Sequence, residues 1–209
     1  MIRRLALLGL VLVAPALVGY LVPGPKLLER WGREAPAHRP ALPAEVACGW
    51  AGGEIALVVG PGGELEGREG SLPPEFPRSA GIAFLLFSDL DPFAWRDALH
   101  RAGVDPVRTG YARCDASADG VCFTLGARGE GEPELPQVWF SREPFRPVLV
   151  RLSATDEVRV GPPEADGWPA ELVPPDAEAP IRRLAPPRPA PDRPAPPPSS
   201  FPDDWRKAF

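Results

Sequence analysis

Few residues in this 209-residue chain could do chemistry: two histidines, His38 and His100, three cysteines, Cys48, Cys114 and Cys122, and scattered carboxylates. His38 lies in a proline-rich stretch and His100 falls on the polar side of an expected helix, so neither has a nucleophile to activate. No serine stands in a G-x-S-x-G elbow, and no glycine run has the spacing of a phosphate or dinucleotide loop. Asp89 and Asp91 read as helix-start residues, where a carboxylate meets the positive end of the helix dipole. The cysteines and histidines show no Cys-x-x-Cys or His-x-x-x-His spacing and so compose no metal set. The expectation is a protein that is not an enzyme, with no catalytic residue, no metal and no cofactor.

The cysteines carry a structural meaning instead. Cys114 and Cys122 flank the turn sequence "DASADG" on two short strand-like runs, which makes them disulfide candidates if the protein meets an oxidising compartment. Cys48 has no neighbouring His or Lys to lower its pKa and reads as a buried small hydrophobe. Export is itself expected from the first residues. "MIRR" precedes "LALLGLVLVAPA", a positive region before an apolar run of the ~7–15 residues typical of a signal peptide, with small residues at Ala14 and Ala16. The apolar run continues to Val22, so residues 1–22 fit either a cleaved signal or, through 5–22, an inner-membrane anchor that would bring membrane contact. The expected location is the periplasm.

Composition narrows the partners. A net charge of -5 and a pI near 5.2 supply no clustered positive surface for a phosphate backbone, so nucleic acid is excluded as a partner. From Pro174 onward proline becomes dense; the stretch 183–209 reads as an extended, disordered tail that cannot donate to a strand ladder. Its P-x-x-P spacings could serve a proline-binding module, although a spacer is the plainer reading.

The elements between the signal and the tail, 24–182, form one expected domain. "PGPKLLERWGRE" has Pro25 at a helix start and Leu27, Leu28 and Trp31 on one stripe. "CGWAGGEIALVVGPGGELEG" reads as strands around "GPGG", with Ile55, Leu57 and Val59 on one face. "AGIAFLLFSDL" is apolar almost throughout and is expected to be a strand covered on both sides. "DPFAWRDALHRAG" is the clearest helix, with Asp91 as N-cap, Pro92 at the first position and Gly103 as the stop. After it come "VRTGYARC" and "VCFTLGA", then "PQVWFSREPFRPVLVRL" as a hairpin, then "DEVRVG" as a weak strand.

The hairpin poses a question, because Trp139 is apolar on one side of its first strand while Val138 and Phe140 are apolar on the other. Such a strand must be covered twice. The sequence does not fix which side faces inward, since a one-residue slip exchanges the two faces.

The element order, and the run from "ALHRAGVDPVRTGYARCDASADGVCFTLGA" into "PQVWFSREPFRPVLVRL", resembles the periplasmic outer-membrane lipoprotein carrier and lipoprotein-sorting family of Gram-negative bacteria. The matching positions are Leu99, Gly103, Val104 and Asp105; Leu125 and Gly126; Val138, Trp139 and Phe140; and Phe145 and Pro147. The resemblance implies an α+β fold, mostly antiparallel β, whose strongly curved sheet is an incomplete barrel under short helices. It also implies an apolar cavity holding acyl chains of lipids or lipoproteins. The lining would be drawn from Phe84, Leu86, Phe123, Leu125, Trp139, Phe140, Val148, Val150 and Leu152. Phe93, Trp95 and Leu99 would belong to a lid helix. The competing reading is a non-catalytic binding or structural module of the cell envelope, in contact with other envelope proteins, in which the same apolar residues are ordinary core.

Overall fold

The computed structural model describes residues 24–68, 70–175 and 180–184. The expected signal segment and all but the first two residues of the expected tail lie outside these residues. Among the described residues three helices, α1 (Gly24–Glu34), α2 (Ser79–Leu86) and α3 (Pro92–Arg101), accompany ten strands. The strands are β1 (Ala44–Trp50), β2 (Gly53–Val59), β3 (Leu65–Gly67), β4 (Thr109–Arg113), β5 (Val121–Leu125), β6 (Gln137–Arg142), β7 (Phe145–Ser153), β8 (Asp156–Val160), β9 (Glu171–Val173) and β10 (Ile181–Arg183). All pair antiparallel in one sheet of order β3-β2-β1-β10-β9-β8-β7-β6-β5-β4, so the α+β class holds. The strongly curved, barrel-like sheet is corrected: this one is open and not strongly curled. Its edges are blunted rather than joined. The chain folds back on β3 through a Gly67–Gly70 bridge, and at β4 the Arg113 amide donates to the Glu130 carboxylate.

Two short strands near the C-terminal end matter more than their length suggests. β10 stands between β1 and β9 and is the hydrogen-bonded link between the N-terminal strands and the rest of the sheet. Arg183, read from the sequence as the first tail residue, lies in β10, with a side chain 8% exposed and ion-paired to Glu164 and Asp166. The Leu184 amide donates to the Ala47 carbonyl at 2.8 Å. The folded domain therefore extends through these two residues, a correction to the boundary drawn at 182.

A third correction concerns "AGIAFLLFSDL", which forms the helix α2 and the turn after it, not a strand. All eight residues of α2 are buried. A helix enclosed on every side has no polar face, so its sequence loses the 3.6-residue period and cannot be told from a doubly covered strand. α2 touches β2, β7 and β8, and α3 packs on α1 and α2. Gly81 has a structural reason: a Cβ there would stand 2.0 Å from the Gly63 carbonyl oxygen, where the β2–β3 turn presses on the helix.

Helix ends leave backbone groups without partners, and other elements supply them to α2. Its first amide, of Ser79, donates at 3.0 Å to Asp156 Oδ1 at the start of β8. At its other end Trp31 of α1 donates from Nε1 to the Leu86 carbonyl at 2.6 Å, and Trp95 of α3 donates to the Leu85 carbonyl at 3.0 Å. α1 and α3 match their expected extents. Asp91 Oδ1 caps α3 by accepting from the amides of Phe93 and Ala94 at 2.8 and 2.9 Å.

Candidate functional site

The register settles the two-faced strand. Leu125, Val138, Val150 and Val158 stand side by side across β5 to β8, all with no exposure, and join Phe140 in the cluster that packs with the helices. Trp139 pairs with Thr124 and Leu149 on the opposite face. Among the described residues, the segment 126–136, which joins β5 to β6, lies against that face. Thr124 Oγ1 donates to the Ala127 carbonyl at 2.7 Å, and buried Gln137 donates from Nε2 to the carbonyls of Glu132 and Leu135. Gln137 Oε1 in turn accepts from Trp139 Nε1 at 2.7 Å. Gly110 of β4 leaves room for the crossing, because a Cβ there would be 2.1 Å from the Arg128 carbonyl oxygen.

The candidate cavity lining is placed as follows. Phe84 and Leu86 sit on α2, and with Phe123, Leu125, Phe140 and Val150 they belong to one contiguous buried cluster. Val148 occupies the bulge opposite Trp139 and Phe140, apart from that cluster. Of the lid-helix residues, Trp95 and Leu99 are fully buried against the core, whereas Phe93 is 65% exposed with the Arg96 guanidinium over its ring. Between helices and sheet Phe84 meets Trp168 edge-on at 5.4 Å, and Phe140 stacks on Phe145.

A concavity lies elsewhere on the described surface. A cleft of about 850 Å³ opens between the β2–β3 turn, the segment 72–78, the end of α3 and the β7–β8 turn. Leu65, Leu72, Phe76, Ile82 and Leu152 form its apolar lining. Arg78, Arg101, Glu64 and Asp156 supply its charges. Both carboxylates are engaged by backbone: Glu64 Oε2 accepts from the Gly62 amide at 2.8 Å, and Asp156 from that of Ser79. Among the described residues neither guanidinium has an ion pair or a hydrogen bond. Leu152 is the one sequence-predicted lining residue found in this cleft. The others come from five stretches remote in sequence and share no spacing that a sequence reading could detect.

Cys114 and Cys122 are disulfide-bonded, with Cα atoms 5.8 Å apart. The turn they close is tied to the β6–β7 turn: Ser117 Oγ accepts from the amides of Arg142 and Glu143 at 3.1 Å and donates to Asp119. Cys48 is free and buried, and burial pushes its thiol up to about 12, against the opposing influence of Arg183. Both histidines are exposed, and among the described residues no group of three or more His, Cys, Asp or Glu is placed to hold a metal. Nor is any described helix long and apolar enough to cross a membrane. No protein-family model matches this chain, and no curated protein and no solved structure does.

Proposed function

We propose that this chain is a non-catalytic binding module of the cell envelope, whose helix–sheet interior is structural and whose binding surface is the cleft. The observation that supports this is the contrast between an interior filled by α2 and a preformed concavity with an apolar floor and a charged rim. Its volume of about 850 Å³ falls in the ~300–1,000 Å³ range of small-molecule sites. Carriage of acyl chains in the interior, as the family resemblance implies, would require α2 to leave the sheet. That would expose Phe84, Leu85 and Leu86, each at most 1% exposed now, at roughly 1.5–3 kcal/mol per large side chain. An apolar ligand in the cleft meets no such barrier.

The test uses an uncharged fluorescent apolar probe, N-phenyl-1-naphthylamine, with two variants. Ser153→Trp fills the cleft from the β7–β8 turn and should abolish probe binding while leaving the unfolding midpoint nearly unchanged. Val150→Ala opens a void in the interior and should lower stability by about 1–3 kcal/mol without loss of binding. Binding that survives Ser153→Trp, or that increases with the interior void, would return the site to the helix–sheet interior.

A further inference from the structure

We infer that the cleft selects a single-chain amphiphile with a carboxylate head, an alkyl chain lying on Leu65, Phe76, Ile82 and Leu152 while the head meets Arg78 and Arg101. The inference rests on the cleft being the binding surface and adds the chemistry of what fills it. Charge complementarity is the first argument. In a protein of net charge -5 the cleft carries two guanidinium groups with no ion pair or hydrogen bond among the described residues, beside two carboxylates already engaged by backbone amides. The hydrogen-bonding capacity left open in the site is that of the guanidinium donors. A guanidinium presents paired N–H donors that match a carboxylate and cannot lose its charge.

A peptide suits this cleft less well. An extended peptide needs partners for its own amides and carbonyls, and the backbone around this cleft has few to spare. Pro73 and Pro74 have no N–H. The amides of Gly62, Gly63, Phe76 and Ala102 donate to Glu64, Gly60, Pro73 and Ala98. The neighbouring edge of β3 is partly taken by the Gly67–Gly70 bridge. A ligand whose polarity is concentrated at one end suits such a lining; one with a polar group every residue does not. Because Glu64 and Asp156 balance the charges of Arg78 and Arg101, the second charge of a phosphate dianion gains no net attraction and costs further desolvation, which favours the singly charged carboxylate.

The experiment titrates the full chain with dodecanoate, dodecan-1-ol and dodecyl phosphate, each below its aggregation concentration, by displacement of the uncharged probe. Dodecanoate should bind about tenfold or more tightly than the alcohol of equal length, and more tightly than the phosphate. The preference should weaken as salt rises. In Arg78→Ala/Arg101→Ala the alcohol should bind as before while the preference for dodecanoate disappears. Equal affinity for acid and alcohol in the unaltered protein, a result that depends on no variant, overturns the inference. So does a preference that survives loss of both arginines, or tighter binding of the phosphate. If the probe enters the cleft but no dodecyl ligand displaces it, this inference fails while the cleft remains the binding surface. If the probe does not enter, the proposed function itself fails.

Discussion

Replacing Trp31 by Phe should destabilise the protein more than replacing Trp95 by Phe, although both are fully buried indoles that donate to the last turn of α2. The two carbonyls differ in what remains after the change. Leu86 accepts from Trp31 Nε1 alone among the described residues. Leu85 accepts from Trp95 and also from Ser88, through the amide at 3.1 Å and the hydroxyl at 2.7 Å. Trp31→Phe therefore leaves a buried carbonyl without a partner, at about 1–3 kcal/mol, whereas Trp95→Phe removes one bond of three at about 0.5–1.5 kcal/mol. Each variant also loses the contacts of the larger ring, a loss common to both. For a domain of this size 1 kcal/mol corresponds to roughly 2–4 °C, so the unpartnered carbonyl should lower the Trp31→Phe midpoint by about 2–12 °C beyond the loss of packing. Urea unfolding followed by far-ultraviolet circular dichroism measures both variants without relying on the altered fluorophores. The slope of free energy against urea should be unchanged. A Trp95→Phe loss equal to or larger than that of Trp31→Phe would refute the account of α2 as a helix whose exit is held by its neighbours' side chains.

Two further outcomes follow from the cysteines and from Asp119. Because the Cys48 thiol is buried and raised to about 12, a thiol reagent should find no reactive group in the folded protein, one after denaturation without reductant and three with it; three without reductant would mean that Cys114 and Cys122 are not bridged. The Asp119 carboxyl is held below its ordinary value chiefly by the Ser117 hydroxyl, then by the Val121 amide and Arg142, with desolvation opposing. A folded-state value below the unfolded one, about 3.9, means that its contribution is complete at neutral pH and is lost as pH falls through the folded value. Ser117→Ala should move the Asp119 titration, followed by nuclear magnetic resonance, up toward the ordinary range, and an unmoved titration would show that the hydroxyl does not set it.

Local chemistry made much of this fold legible. Asp91, Pro92 and Gly103 delimit α3 because an N-cap, a first-turn proline and a glycine at φ 89° act within a few residues of chain. The "DASADG" turn between β4 and β5 and the Cys114–Cys122 pair across it depend on equally short separations. The first hairpin, by contrast, turns at Ala51 and Gly52, both with positive φ, within a run read as continuous. That turn uses an alanine in a conformation which its side chain gives no reason to expect.

The candidate site lay beyond such reasoning. Arg78 and Arg101 carry no local signal; each could be one more exposed arginine, and only the packing of α2 between the β2–β3 and β7–β8 turns sets them on one cleft. The same limit applies to α2 itself, because a segment buried on every side has no periodic contrast between wet and dry faces. The outer face of Trp139 was equally unreadable, being covered by the loop that precedes it. The sequence by itself determined the cap and stop of α3, the "DASADG" turn and the cysteine pair across it. Those depend on neighbours within a turn or two, whose backbone geometry their own side chains dictate. Only the tertiary structure decided which strands meet, which apolar run is a helix, and which charges share a cleft, because each depends on groups that folding brings together from distant parts of the chain.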